Sequence, residues 1–143
     1  MTGKMLVGFD GSEESYKAFD FALELATSCK VPAPEIFVLS VIRPPEGLNL
    51  VDKNSLIDEA TQQFKEQFKD LEGKAGASNF KISSEIAVGH PADTIIKYAR
   101  NMDCPMVIVG HKGRSKIAGF LLGSVSRHVA TMAHCTVVIV RKD

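Results

Sequence analysis

Apolar and polar positions alternate between two rhythms along this chain. Lys4 to Asp10 (KMLVGFD) is short and almost wholly apolar, the pattern of a strand covered on both faces. Ser12 then suits a helix N-cap. From Glu13 to Lys30, Ala18, Phe19, Ala22, Leu23, Leu25 and Ala26 recur at helical spacing. Glu13 and Glu14 suit the first turn of that helix, where its dipole is positive. Pro32 and Pro34 stop it. Ile36 to Val41 (IFVLSV) is β-rich and predicts a second buried strand.

Ile42 to Asn54 has no period and reads as a connection rich in Pro, Gly and Asn. From Ser55 to about Gly73, Leu56, Ala60, Phe64, Phe68 and Leu71 form an apolar stripe among charges. That stripe predicts an amphipathic helix capped by Asn54 or Ser55. Lys81 to Val88 is a third strand of weaker alternation. Gly89-His90-Pro91 turns the chain, and Pro91 suits the first position of a helix. This helix runs to about Asp103 with Ile95, Ile96, Ala99 and Met102 inward. Met106 to Val109 is a fourth strand, a helix runs from near Gly123 to about Ala133, and Thr136 to Val140 is a final strand.

Strands alternating with helices predict one α/β domain, a doubly wound parallel sheet with helices on both faces. Right-handed crossovers allow only a few strand orders. Ligands in such sheets sit beyond the carboxyl ends of the strands, where the winding reverses. If the first and fourth strands are neighbours there, Gly8–Ser12 and Gly110–Ser126 face one crevice, and Val41 ends the strand on the far side of the first.

The stretch from Pro105 to Ser126 carries the candidate chemistry. A strand leads into a loop punctuated by Gly110, Gly113 and Gly123, and then into a helix start bearing Ser124 and Ser126. Free backbone N–H groups and the helix dipole make such a turn an anion site. The phosphates of a nucleotide are the expected ligand. Charge agrees: Cys104 to Lys142 holds six basic residues and no Asp or Glu, although the whole chain is neutral. The other 11 basic residues share the rest of the chain with all 17 acidic ones. A local cluster of this kind favours a small-anion site over a nucleic-acid surface. The backbone N–H groups are expected to hold the anion more than the side chains of Lys112, Arg114 and Lys116, and His111 is expected to offer its backbone.

At 143 residues the chain suits a single domain, 1–143, with one sizeable core. No apolar run approaches the roughly 20 residues of a membrane span, and no signal-peptide pattern opens the chain. Three widely spaced cysteines, Cys29, Cys104 and Cys135, argue against a disulfide framework. The cytoplasm is the expected compartment, with no nucleic-acid or membrane partner. The four histidines form no metal-ligand spacing. A divalent cation, Mg²⁺, is expected on the nucleotide phosphates with a serine hydroxyl such as Ser124, with no direct protein metal site.

The glycine loop is not a Walker A sequence, since Gly119-Phe-Leu-Leu-Gly123-Ser124 lacks its spacing and its lysine. The first turn, Gly8-Phe-Asp-Gly11, is not a dinucleotide fingerprint. Together, VGFDGSEES at 7–15, GHP at 89–91, Gly-x-x-Gly-x9-Gly-Ser over Gly110, Gly113, Gly123 and Ser124, and TVVIVR at 136–141 resemble the universal stress protein family, in its nucleotide-binding branch.

The resemblance covers the whole chain. It implies five parallel strands in the order 3-2-1-4-5, a stress-response role, a homodimer paired through the 136–141 strand, and ATP in the crevice, with ADP or AMP as alternatives. Carried over, Asp10 lies by the adenosine with Gly8 beside it, and Val41 meets adenine through its backbone. Gly110, His111, Lys112, Gly113, Arg114, Ser115 and Lys116, with Gly123, Ser124, Val125 and Ser126, surround the ribose and phosphates.

Three functions compete. The first is a dimeric, ATP-binding regulatory protein that signals to a protein partner and hydrolyses ATP slowly at most. No general base, second carboxylate or arginine finger is placed to activate water. The second is an ATP-dependent enzyme with its second substrate on the 42–54 loop. The third is a nucleotide-free dimeric interaction protein, against which the intact glycine pattern argues.

Overall fold

A computed structural model of the chain describes residues 3–29, 33–112 and 122–142. Five parallel strands form one sheet: β1 (Lys4–Gly8), β2 (Glu35–Ile42), β3 (Ile82–Val88), β4 (Met106–Gly110) and β5 (Thr136–Val140). Their order is β3-β2-β1-β4-β5, as the resemblance implied. Between them run α1 (Glu13–Ser28), α2 (Leu50–Ala77), α3 (Pro91–Asn101) and α4 (Ser124–Met132).

Successive residues of each central strand point to opposite faces, so each strand feeds two cores. Met5, Val7, Ile36, Val38 and Ile108 face α1 and α2, where Phe19, Ala22, Phe64, Phe68 and Leu71 cover them. Leu6, Phe37, Leu39, Val107 and Val109 face α3 and α4, under Ile95, Ala99 and Val129. Burial on both faces explains why these strands read as continuous apolar runs. The chain winds from β1 out to β3, crosses back and continues from β4 to β5. The winding reverses between β1 and β4, which pair directly through Met5–Met106, Leu6–Val107 and Val7–Ile108.

The second helix differs most from the sequence expectation. It begins at Leu50, inside the supposed 42–54 connection, and its N-cap is Asn49 rather than Asn54 or Ser55. The Asn49 Oδ1 accepts the Asp52 N–H at 2.8 Å. Leu50 and Val51 are 72% and 76% exposed, so no apolar stripe announced this first turn. The helix also continues through Gly73 and Gly76 to Ala77, held by the fully buried Leu71 and Ala75. Asn79, at φ 56°, then turns the chain in the left-handed region that asparagine tolerates.

Candidate functional site

At the point where the winding reverses, a cleft of about 280 Å³ opens beyond the carboxyl ends of β1, β2 and β4. One wall is apolar. Leu39 and Val41 come from β2, Val109 from β4, Pro91 and Ile95 from α3, and Val125 from α4. The other side is polar: Asp10 and Ser12 after β1, Lys112 after β4, and the N-terminus of α4. A slot with one apolar wall and a rim of backbone donors is the usual form of a small-molecule site.

The polar rim is built locally by turn chemistry. Asp10 Oδ1 accepts the Ser12 N–H at 2.9 Å, which fixes the turn leaving β1. Ser12 in turn caps α1: its Oγ accepts the Ser15 N–H at 3.2 Å. The Ser15 hydroxyl donates back to the Ser12 carbonyl at 2.8 Å. At α4 the N-cap is Gly123, which has no side chain to satisfy the first-turn N–H groups. The first-turn residues Ser124, Val125 and Ser126 all line the cleft, and Arg127 N–H is the first to bond back, to the Gly123 carbonyl at 3.0 Å. The positive end of α4 therefore faces the cavity.

Close backbone approach shapes two further points. A Cβ built on Gly8 would lie 3.0 Å from Val109 Cγ1 and 3.1 Å from Ile95 Cδ1, so a side chain there would intrude on the apolar wall. A Cβ on Gly110 would lie 2.9 Å from Glu14 Cβ and 3.0 Å from its carbonyl carbon. Gly110 thus lets the first turn of α1 rest against the end of β4.

Nine of the residues expected from the sequence line this one cleft: Gly8, Asp10, Val41, Gly110, Lys112, Gly123, Ser124, Val125 and Ser126. Gly113, Arg114, Ser115 and Lys116 lie outside the described residues. His111 is buried and its backbone serves the protein itself. Its N–H donates to the Val140 carbonyl at 2.8 Å, and its carbonyl accepts from the Gly123 N–H at 2.9 Å. The Ser126 hydroxyl is also committed, donating to the His111 carbonyl at 2.9 Å and within 3.0 Å of the Gly123 carbonyl. Ser124 is exposed at the rim.

Leu39, Pro91, Ile95 and Val109 escaped notice as wall residues because core and cleft wall share one apolar face. Their position at strand ends and a helix start was the available signal. Glu14 also escaped notice: its Oε2 accepts the Lys112 N–H at 2.6 Å across 98 positions of sequence. Among the described residues no three His, Cys, Asp or Glu side chains converge to hold a metal. No described helix is long and apolar enough to cross a membrane.

The chain matches the model of the universal stress protein family over residues 1–141. It is 33% identical to the universal stress protein YxiE of Bacillus subtilis, covering 99% of this chain and all of that one. The solved universal stress protein UspA of Lactobacillus plantarum shares its fold with a TM-score of 0.89 at 22% identity, covering 97% of each chain. A universal stress protein solved in complex with cAMP aligns with a TM-score of 0.72 at 27% identity, covering 99% of this chain and 98% of that one. With its strand order, its glycine-bounded crevice and these relatives, the chain belongs to the universal stress protein family.

Proposed function

We propose that the cleft binds an adenine nucleotide, ATP with ADP and AMP as alternatives, and that the protein acts as a nucleotide-responsive regulator rather than an efficient enzyme. The observation that carries this reading is the pairing, in one cavity, of an apolar wall with the side-chain-free N-cap of α4. The slot between Val41, Ile95 and Val109 suits a flat base. The N–H groups at the start of α4 suit the phosphates that follow the ribose. Asp10 stands on the polar side, where ribose hydroxyls would lie. The relative solved with cAMP supports the choice of adenine.

Mg²⁺ would accompany the phosphates. The exposed Ser124 hydroxyl is a hard oxygen donor of the kind that cation accepts while keeping most of its waters. Among the described lining residues Asp10 is the one carboxylate, and its Oδ1 holds the Ser12 N–H. The reading therefore gives the site no dedicated base for water, and hydrolysis is slow at most. β5 has β4 on one side and no described strand on the other. Pairing of two copies through 136–141 would cover that edge.

The test is direct. The purified protein is denatured and any released nucleotide identified. ATP, ADP, AMP and cAMP are then titrated calorimetrically. Micromolar binding of an adenine nucleotide is expected, and its absence overturns the reading. Turnover above roughly 1 s⁻¹ would favour an enzyme instead.

A further inference from the structure

We infer that Ser40 is a positioning residue for the recognition of ribose: from behind the apolar wall it fixes the peptide that presents Asp10 to the cleft, an inference that rests on the proposed nucleotide site.

Ser40 is the one polar residue in IFVLSV, and it is fully buried. A hydroxyl in such a place costs stability unless it is hydrogen-bonded. Leu39 and Val41 line the cleft, whereas Val38 and Ile42 face the core under α1 and α2. Strand alternation puts Ser40 on the face of Val38 and Ile42, so it stands behind the cleft wall and not in it. Its hydroxyl donates to the Phe9 carbonyl at 2.6 Å, across 31 positions of sequence. That is on the short side for a hydroxyl donor.

The carbonyl it takes belongs to the peptide that joins Phe9 to Asp10. Two other contacts hold Phe9 itself. Its N–H extends the β1–β2 ladder one bond past Gly8, to the Leu39 carbonyl at 2.9 Å. Its ring meets Tyr16 edge-on at 5.0 Å between centroids and packs beside Phe64 and Phe68. These contacts fix where Phe9 sits. The bond to Ser40 fixes the plane of the peptide that follows, and so the direction in which Asp10 leaves the strand. On the far side, Asp10 Oδ1 accepts the Ser12 N–H at 2.9 Å. The carboxylate is thus aimed from both sides, and Ser40 is the long-range half of that arrangement. The base slot does not depend on this bond: Val41 keeps its place by pairing with Ala87 of β3, and Ile95 and Val109 come from other elements. The first turn of α4 is separate again. The influence of Ser40 therefore falls on the sugar hydroxyls that meet Asp10, and not on base or phosphates.

Mg-ATP and Mg-2′,3′-dideoxy-ATP, which differ only in those hydroxyls, are titrated calorimetrically against wild type, Ser40→Ala, Asp10→Ala and the double variant, with thermal unfolding as the check on folding. Wild type is expected to prefer ATP by about tenfold or more, the effect of hydrogen bonds to a carboxylate. Ser40→Ala is expected to cut that preference by about fivefold or more while dideoxy-ATP binds within about twofold of wild type. In the Asp10→Ala background the same change is expected to alter the preference no further, because Ser40 acts through Asp10. Equal losses for both ligands, an unchanged preference in Ser40→Ala, a further loss in the double variant, or a wild type indifferent to the hydroxyls overturns the inference while leaving the nucleotide site standing. A wild type that binds neither ligand overturns the site and this inference together. If Ser40→Ala does not fold, Ser40→Cys replaces the hydroxyl by a weak donor of similar shape and is expected to give the same selective loss. A preference retained there overturns the inference.

Discussion

Gly8 lies so close to Val109 that a Cβ on Gly8 would come within 3.0 Å of Val109 Cγ1. Ile95 closes the same space from α3. The floor of the cleft is therefore the absence of one side chain. Replacing Gly8 by valine is expected to fill the base slot and weaken adenosine and ATP binding alike by at least about tenfold. Overpacking should also lower stability by about 1–3 kcal/mol. Calorimetry with both ligands separates this from a phosphate-side defect, since a loss confined to ATP would contradict it.

The two serines of α4 part company. The Ser126 hydroxyl is buried and bonds the His111 and Gly123 carbonyls, whereas Ser124 is exposed at the rim. Ser126→Ala should cost about 1–2 kcal/mol in urea unfolding. Ser124→Ala should leave unfolding within about 0.5 kcal/mol of wild type and instead weaken binding of Mg-ATP. Equal stability of the two variants would count against this division.

Burial pushes the Cys104 thiol above its ordinary range, and the nearby Cys135 adds to the shift. A raised thiol means that the folded state holds its proton where the unfolded chain releases it. Stability from this source is fully present below the unfolded thiol pKa of about 8.5 and declines as pH rises beyond it. Urea midpoints of wild type should fall between about pH 8.5 and 10 more steeply than those of Cys104→Ala. Parallel pH profiles would show that the thiol does not contribute.

At the sheet edge, Val137 to Val140 are half-buried within a single chain. If two copies pair through this strand as proposed, a charge at Val138 should break that pairing before it unfolds the protein. Light scattering of Val138→Glu is expected to report half the mass of wild type. An unchanged mass would count against pairing through this strand.

Much of the fold was legible because burial on both faces writes strands as nearly continuous apolar runs, as in IFVLSV of β2, broken only by Ser40. The start of α2 was not, because it depends on one asparagine cap and on residues that touch no core. Gly73 and Gly76 argued for an earlier end, but the burial of Ala75 outweighs their low helix propensity. The strand order did not follow from periodicity, which is blind to neighbours in space, and came from the family resemblance. In the cleft, glycines and rim residues stood out by their spacing. The Glu14–Lys112 bond was invisible, since nothing local to either residue announces a partner 98 positions away.

The reversal of winding also has a consequence for synthesis. β1, β2 and β3 lie side by side in chain order, so their pairing involves successive segments. β1 receives its second neighbour, β4, only from residues 106–110. A nascent chain that has emerged through β3 therefore carries Met5–Val7 with one edge bare, the state most open to sticking to another copy. The cleft does not exist before β4 docks. Closing that edge joins two walls of the cavity and α4 then adds the last, so any ligand of the cleft selects chains that have finished folding.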